Sequence, residues 1–180
     1  MQNPEIIELV SADDSEVIGL INRDELYEKK LRNFRVINVL ILNQQNQIWI
    51  PRRHASKKLF PSCLDCSVGG HVSAGETYLE AFIRETLEEV NINPLDYPYK
   101  FLMKLSPYTD AVSAFMHVYT LHCDHEISYN QKDFEDYDWL SPEKILQKIQ
   151  NGTPAKSDLI KIIQGYIQHE KNNSNTISSS

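Results

Sequence analysis

The chain lacks any long apolar run. Its longest notable stretch is Val39–Leu42, far short of the ~20 residues of a membrane-spanning helix. The start, MQNPEIIELVSADD, has no basic opening and no apolar segment of signal-peptide length. Cysteine is scarce and odd in number (Cys63, Cys66, Cys123), so a disulfide framework is not expected. Positive charge is also in deficit, with 18 Lys and Arg against 25 Asp and Glu and a net charge of −7. That balance argues against long nucleic acids and anionic membrane surfaces as partners. The expectation is a cytoplasmic protein.

What remains is an ordinary globular composition, 41% apolar and 24% charged over 180 residues, enough for one domain with its own core. Residues 1–170 read as a single domain, with the folded pattern starting near residue 15. The tail 171–180, KNNSNTISSS, is polar and of low complexity, and disorder is expected there.

Apolar and β-branched runs predict strands at Glu16–Asn22, Arg35–Leu42, Gln47–Arg52, Tyr99–Leu105, Val112–Cys123 and, more briefly, Tyr137–Leu140. The turn Asn43–Asn46 predicts a hairpin between the second and third of these. Asp24–Asn33 reads as weakly helical, and Asp65–Val72 as a bend at Gly69–Gly70. Thr77–Val90 is the clearest helix, because Leu79, Phe82, Ile83, Thr86 and Val90 recur at helical spacing. Asn91 then suits a left-handed stop. Ser141–Gln150 opens with Ser-Pro, and a last helix covers Ser157–His169. Strands with interspersed helices predict an α/β fold, a mixed sheet covered by helices. Glu16–Asn22 and the C-terminal helix are the candidate surfaces for a homodimer.

The chemistry concentrates in GHVSAGETYLEAFIRETLEEVNI, Gly70–Ile92. Glu85, Glu88 and Glu89 stand at i, i+3 and i+4 and share a helix flank. Crowded carboxylates either face bulk water or hold cations, and hard oxygen ligands suit Mg²⁺ or Mn²⁺. Gly70, Glu76, Arg84, Glu85, Thr86, Glu88, Glu89, Asn91 and Ile92 fit the Nudix box: Gly, five residues, Glu, seven residues, then Arg-Glu-U-x-Glu-Glu-x-Gly-U with U apolar. Thr86 replaces an apolar residue and Asn91 replaces Gly, while every charged position is kept. The sequence thus resembles the Nudix hydrolases.

The resemblance implies an α/β/α sandwich and hydrolysis of a diphosphate linked to another group. It also implies divalent metal on Glu85, Glu88, Glu89 and the Gly70 carbonyl, and a Glu76–Arg84 pair fixing the loop to the helix. Clustered divalent ions both neutralise a diphosphate and activate water. The base could be Glu88, or an acid of the later segment KDFEDYDWL, where Asp133 and Asp136 are the candidates.

A second resemblance runs from about Val36 to Trp139, to the isopentenyl-diphosphate isomerases built on the same fold. It includes Arg52–Arg53, Ser56–Lys58, Pro61, His71, Gly75–Glu76 and Asp136–Tyr137–x–Trp139. It implies that Arg53 and Lys57 touch a diphosphate, and the clustered Arg52, Arg53, Lys57 and Lys58 suit that anion. His71 is a further candidate contact. The isomerases' Cys position is here Gly69, no His precedes His54, and the strand Val112–Cys123 lacks the expected acids. The reading is therefore a Mg²⁺- or Mn²⁺-dependent hydrolase of a small nucleoside diphosphate-X type substrate. An isomerase-like enzyme and a non-catalytic nucleotide-sensing module are the alternatives. Cys63-x-x-Cys66 with His71 has no fourth ligand and no second Cys pair, so buried thiols are favoured over zinc.

Overall fold

The computed structural model describes residues 5–177, with side chains described to Ser174. Strands β1 (Ile6–Val10) and β2 (Val17–Asn22) form an antiparallel pair, followed by the short helix α1 (Arg23–Glu28). The main sheet comprises β3 (Arg35–Leu42), β4 (Ile48–Arg53), β5 (Val68–His71), β6 (Tyr99–Leu105), β7 (Phe115–His122) and β8 (Phe134–Leu140). Its order is β6-β7-β3-β4-β8, with β5 also paired to β3. β3 and β7 run parallel and the other pairings are antiparallel, so the sheet is mixed.

β3 is apolar almost throughout because both of its faces are covered. Ile37, Val39 and Ile41 pack with Phe82, Ala81 and Val90 of helix α2 (Tyr78–Val90). Leu40 and Leu42 face the other way, against Ile145 of α3 (Pro142–Gln150) and Leu159, Ile162, Ile163 and Tyr166 of α4 (Leu159–Ile177). This is the expected α/β/α sandwich. Full burial of side chains such as Phe82 or Ile162 stabilises the fold by about 1.5–3 kcal/mol each.

Several expectations change in detail. The β3–β4 hairpin closes at Leu42↔Ile48, and then the strands part. β5 takes the vacated edge of β3 at Val36–Val39, while β4 pairs along its length with β8. Pro51 sits on β4 beyond the Ile48 pairing with β3, where its missing N–H costs no ladder bond to that strand. Gly69–Gly70 therefore lie within a strand and not at a bend. On α2, Leu79 is 44% exposed, and Ala81 takes the core-facing position instead. Folded structure begins with β1, earlier than residue 15, since Ile7 and Val10 are fully buried. α4 continues through Ile177, across part of the tail expected to be disordered. There Gln168 bonds Asn172 and Asn173 contacts His169, both one turn apart. Residues 178–180 lie outside the described residues.

The N-terminal unit is fastened by apolar contacts and one ionic hub. Ile7, Ile21 and Leu26 pack on Phe34 and Ala114. Asp14, in a left-handed conformation (φ 62°), accepts from Arg35 Nε at 2.5 Å and the Tyr78 hydroxyl at 2.9 Å, with Lys104 Nζ at 2.8 Å. It thereby joins the β1–β2 loop to β3, β6 and α2. Burial pushes the Asp14 carboxyl up, but hydrogen bonds from Lys104, Arg35 and Tyr78 outweigh it and hold it below its ordinary value. A carboxylate depressed in the folded state contributes stability above its unfolded pKa of ~3.9, and loses it as pH falls through the folded value. Asp14→Asn, which still tolerates the backbone, is expected to cost about 3 kcal/mol at pH 7. The gap to wild type should narrow below about pH 4. Urea denaturation from pH 7 to pH 3 measures both, and equal stabilities at pH 7 would dismiss the hub.

Candidate active site

Where β3 and β4 part, a cleft of about 1220 Å³ opens. Its walls come from β5, the exposed flank of α2, α1, the segment Arg53–Phe60 and the stretch before α4. The box supplies one wall in the expected arrangement. Thr77 caps α2 in a reciprocal capping box with Glu80, and Asn91 ends the helix in the left-handed conformation (φ 53°). Between them Arg84 works as a fork. Nε and Nη2 donate to the two oxygens of Glu76, each at 2.8 Å, and Nη1 donates to Glu85 Oε1 at 2.7 Å. Nη2 also reaches the His71 carbonyl at 2.9 Å. Glu76 in turn accepts from the Ser73 amide at 2.9 Å.

Glu85 lies against Gly70. A β-carbon at residue 70 would fall 1.9 Å from the Glu85 carboxyl carbon, so only glycine lets the helix carboxylate close on the strand. Glu89 reaches the next residue and accepts from the Gly69 amide at 3.1 Å. Glu88 points outward, its side chain 60% exposed, with Arg84 Nη1 3.5 Å away. Burial pushes Glu85 up to about 7, against the opposing pull of Arg84 and with a push from Glu88. Glu89 is raised well above the usual range, by burial first and by Glu85 second.

Two desolvated carboxylates side by side are short of positive charge. Hard oxygen donors in that condition fit Mg²⁺ or Mn²⁺. Among the described residues no ready-made group of three or more His, Cys, Asp or Glu converges as a metal cage. The geometry supplies a close pair, Glu85 and Glu89, with Glu88 beside it on a long exposed side chain. Mg²⁺ keeps several waters and needs few protein ligands, so the set fits the ion.

The cationic segment divides. Arg53 lines the cleft and donates to Asp65 Oδ2 at 2.7 Å. Lys57 lines it too, in a tight ion pair with Asp133. Lys58 stands at the exposed rim, 3.4 Å from Asp24. Arg52 and Asp136 do not join the cleft. They are register partners on β4 and β8, 3.4 Å apart, and Arg52 also donates to the Ser62 carbonyl. Alternation along β4 sends neighbouring side chains to opposite faces, so Arg52 and Arg53 could not both enter.

His71 lines the cleft with both ring nitrogens engaged. Nε2 is 2.9 Å from the Tyr27 hydroxyl and Nδ1 3.4 Å from Glu5 Oε1. Burial, then the charges of Arg23, Lys156 and Arg84, push it down to about 3. The ring is neutral, and the tautomer satisfying both neighbours carries its proton on Nδ1. Cys66 packs among the apolar residues beneath α3 and α4, its thiol pushed well up by burial and then by Asp65. That environment disfavours the thiolate a metal would need. His117 stacks on Tyr78 at 3.6 Å, outside the cleft.

Sequence reasoning missed Glu5, Arg23 and Tyr27 from the N-terminal unit, and Asn38 and Lys156. None belongs to a periodic pattern or lies near the box. Asn38 alone left a trace, as the one polar residue inside the apolar run VINVLIL.

The chain belongs to the NUDIX domain family, whose model matches residues 32–161, and it is a Nudix hydrolase. An uncharacterized Nudix hydrolase of Nostoc sp. is 47% identical over 91% of this chain and 96% of its own length. The crystal structure of the Deinococcus radiodurans protein DR0079 superposes with a TM-score of 0.84 at 42% identity, over 89% of this chain and 98% of that one. A protein named prenyl-diphosphate phosphatase from Methanosarcina mazei is 29% identical over 84% of this chain and 91% of its own. No described helix is long and apolar enough to cross a membrane.

The close approach of Glu85 to Gly70 generates a sharp expectation. Gly70→Ala must displace the carboxylate by more than an ångström, and displacement on that scale costs about 10²-fold in rate. Diphosphate hydrolysis should fall by that amount with thermal stability little changed. Full activity in the folded variant would show that Glu85 does not act from this position.

Proposed function

We propose that the protein hydrolyses a diphosphate linkage in a small molecule of the nucleoside diphosphate-X type, with Mg²⁺ or Mn²⁺ held by Glu85, Glu89, Glu88 and the Gly70 carbonyl. The observation that carries this reading is the desolvated Glu85–Glu89 pair, raised by burial on the wall of a cleft that also holds Arg53 and Lys57. When bound, the metal neutralises the diphosphate and makes water a competent nucleophile. Arg84 keeps Glu85 in place and ties the Glu76 loop to the helix. Arg53 and Lys57, held at the cleft wall by Asp65 and Asp133, would meet phosphate oxygens with their remaining N–H donors, Arg in forked and Lys in point contact.

Glu88 is the preferred base. Asp133 is committed to Lys57, and Asp136 lies outside the cleft. Isomerisation lacks its acid–base thiol, since residue 69 is glycine and Cys66 is packed in the core. A prenyl diphosphate is the second reading. It is favoured by the Methanosarcina relative's name and by Phe34, Val36, Leu59 and Phe60 in the cleft wall.

A panel of nucleoside diphosphate sugars, dinucleoside polyphosphates and prenyl diphosphates, incubated with Mg²⁺, tests the proposal through phosphate or nucleotide release. At least one should turn over, EDTA should stop it, and Glu89→Gln should lower kcat by at least about 10²-fold. Equal turnover by Glu89→Gln, or none from any compound, would sink it.

A further inference from the structure

Gly69 and Gly70 expose bare backbone on opposite sides of β5, as neighbouring strand residues must. The Gly70 side is filled by Glu85. On the Gly69 side, a β-carbon would lie 3.1 Å from Asn38 Oδ1 and 3.7 Å from Lys156 Nζ. That side of the cleft is therefore floored by polar groups.

Asn38 is only 3% exposed. Its amide nitrogen meets the Met116 sulfur at 3.6 Å, a weak acceptor, and its oxygen accepts no hydrogen bond among the described residues. Lys156 is pinned by backbone bonds that bracket it: Lys156 N donates to the Leu64 carbonyl at 2.8 Å, and Leu64 N to the Pro154 carbonyl at 2.9 Å. Among the described residues its ammonium has one carboxylate within reach, Asp65 Oδ1 at 3.5 Å, and Arg53 already holds the other Asp65 oxygen at 2.7 Å. Nearby Asp158 is turned to the Ser113 amide and hydroxyl. An ammonium has three donors, so Lys156 keeps capacity for a guest, as does the Asn38 oxygen.

We propose that Lys156 and Asn38 form a subsite that reads the group attached to the diphosphate and requires it to present hydrogen-bonding oxygen or nitrogen, as a sugar or nucleobase does. This rests on the diphosphate-hydrolase reading and selects within it. A prenyl chain at this floor would strip water from both groups and replace none of their hydrogen bonds. Polar rejection of that kind discriminates far more strongly than a missing methylene does.

The test uses the full-length protein with Mg²⁺, wild type and Lys156→Met, with nucleoside diphosphate sugars and geranyl diphosphate as probes. Asp65 keeps Arg53 in the variant, so its melting temperature should stay close to wild type. KM for the best sugar nucleotide should rise about tenfold to a hundredfold, with kcat changed less. The sugar-nucleotide to geranyl ratio of kcat/KM should fall at least tenfold, and Lys156→Gln, which keeps a donor, should recover part of it. Unchanged KM in Lys156→Met, or a wild type preferring geranyl diphosphate, overturns the subsite while the hydrolase reading stands. Should no compound turn over, the hydrolase reading fails, and calorimetric binding decides the subsite. Sugar-nucleotide binding lost in Lys156→Met upholds it, and equal or absent wild-type binding overturns it.

Discussion

Arg84 offers five N–H donors in a rigid fork, and the chain distributes them over three segments, a strand end, a loop and a helix. Two donors clamp Glu76 in the loop before α2, one holds Glu85 on the helix itself, and one reaches the His71 carbonyl at the end of β5. Strand, loop and helix are thereby locked around one guanidinium. A lysine could not replace it, because a point charge cannot take both Glu76 oxygens and a carbonyl in fixed directions. Arg84 is itself raised above its ordinary value, chiefly by Glu76. Its charge is permanent, and among the described residues it is the one cation in direct contact with Glu85.

That single cation is not enough for the acids around it. Glu85 stays elevated despite contact with Arg84, and among the described residues Glu89 has only an amide donor from Gly69. Burial dominates both, and the protein places them there by removing side chains from Gly69 and Gly70 and by packing Ala81, Phe82, Thr86 and Val90 underneath. The apolar stripe that stabilises the helix thus also presses the carboxylates into a place that destabilises them alone. The same tension is common where charge is held ready for a ligand.

The fold and the chemical wall were legible because both rest on contiguous sequence. The continuous apolar run of β3, the periodicity of α2 and the fixed gaps from Gly70 to Ile92 each encode one element or one helix flank. The misjudged places depend on long-range pairing. The parting of β3 from β4 is decided by β5 and β8 competing for their edges, which no local pattern shows. Spacing alone places Leu79 inward, while Ala81, two residues on, fits closer to the sheet. Arg52 and Asp136 looked like site residues by charge and proximity, yet strand alternation sends them out to each other. His71 looked like a ligand, yet Tyr27, from a helix the motif does not include, takes its free nitrogen.

The division between what was and was not legible follows the division of labour in the cleft. The carboxylates proposed for the chemistry stand at helical spacing and face a bare strand, so one contiguous stretch of sequence carries them all. The other polar groups of the cleft arrive from α1, from the middle of β3, from the segment after β4 and from the turn before α4, which no single stretch of sequence links. The net charge of −7 is a poor guide to either. It argues against long polyanions, but Arg53, Lys57 and Lys156 gather at one cleft, and a metal ion on Glu85 and Glu89 would add to them. A small diphosphate in the cleft would meet that local field within the Debye length of ~8–10 Å, beyond which the rest of the acidic surface is largely screened.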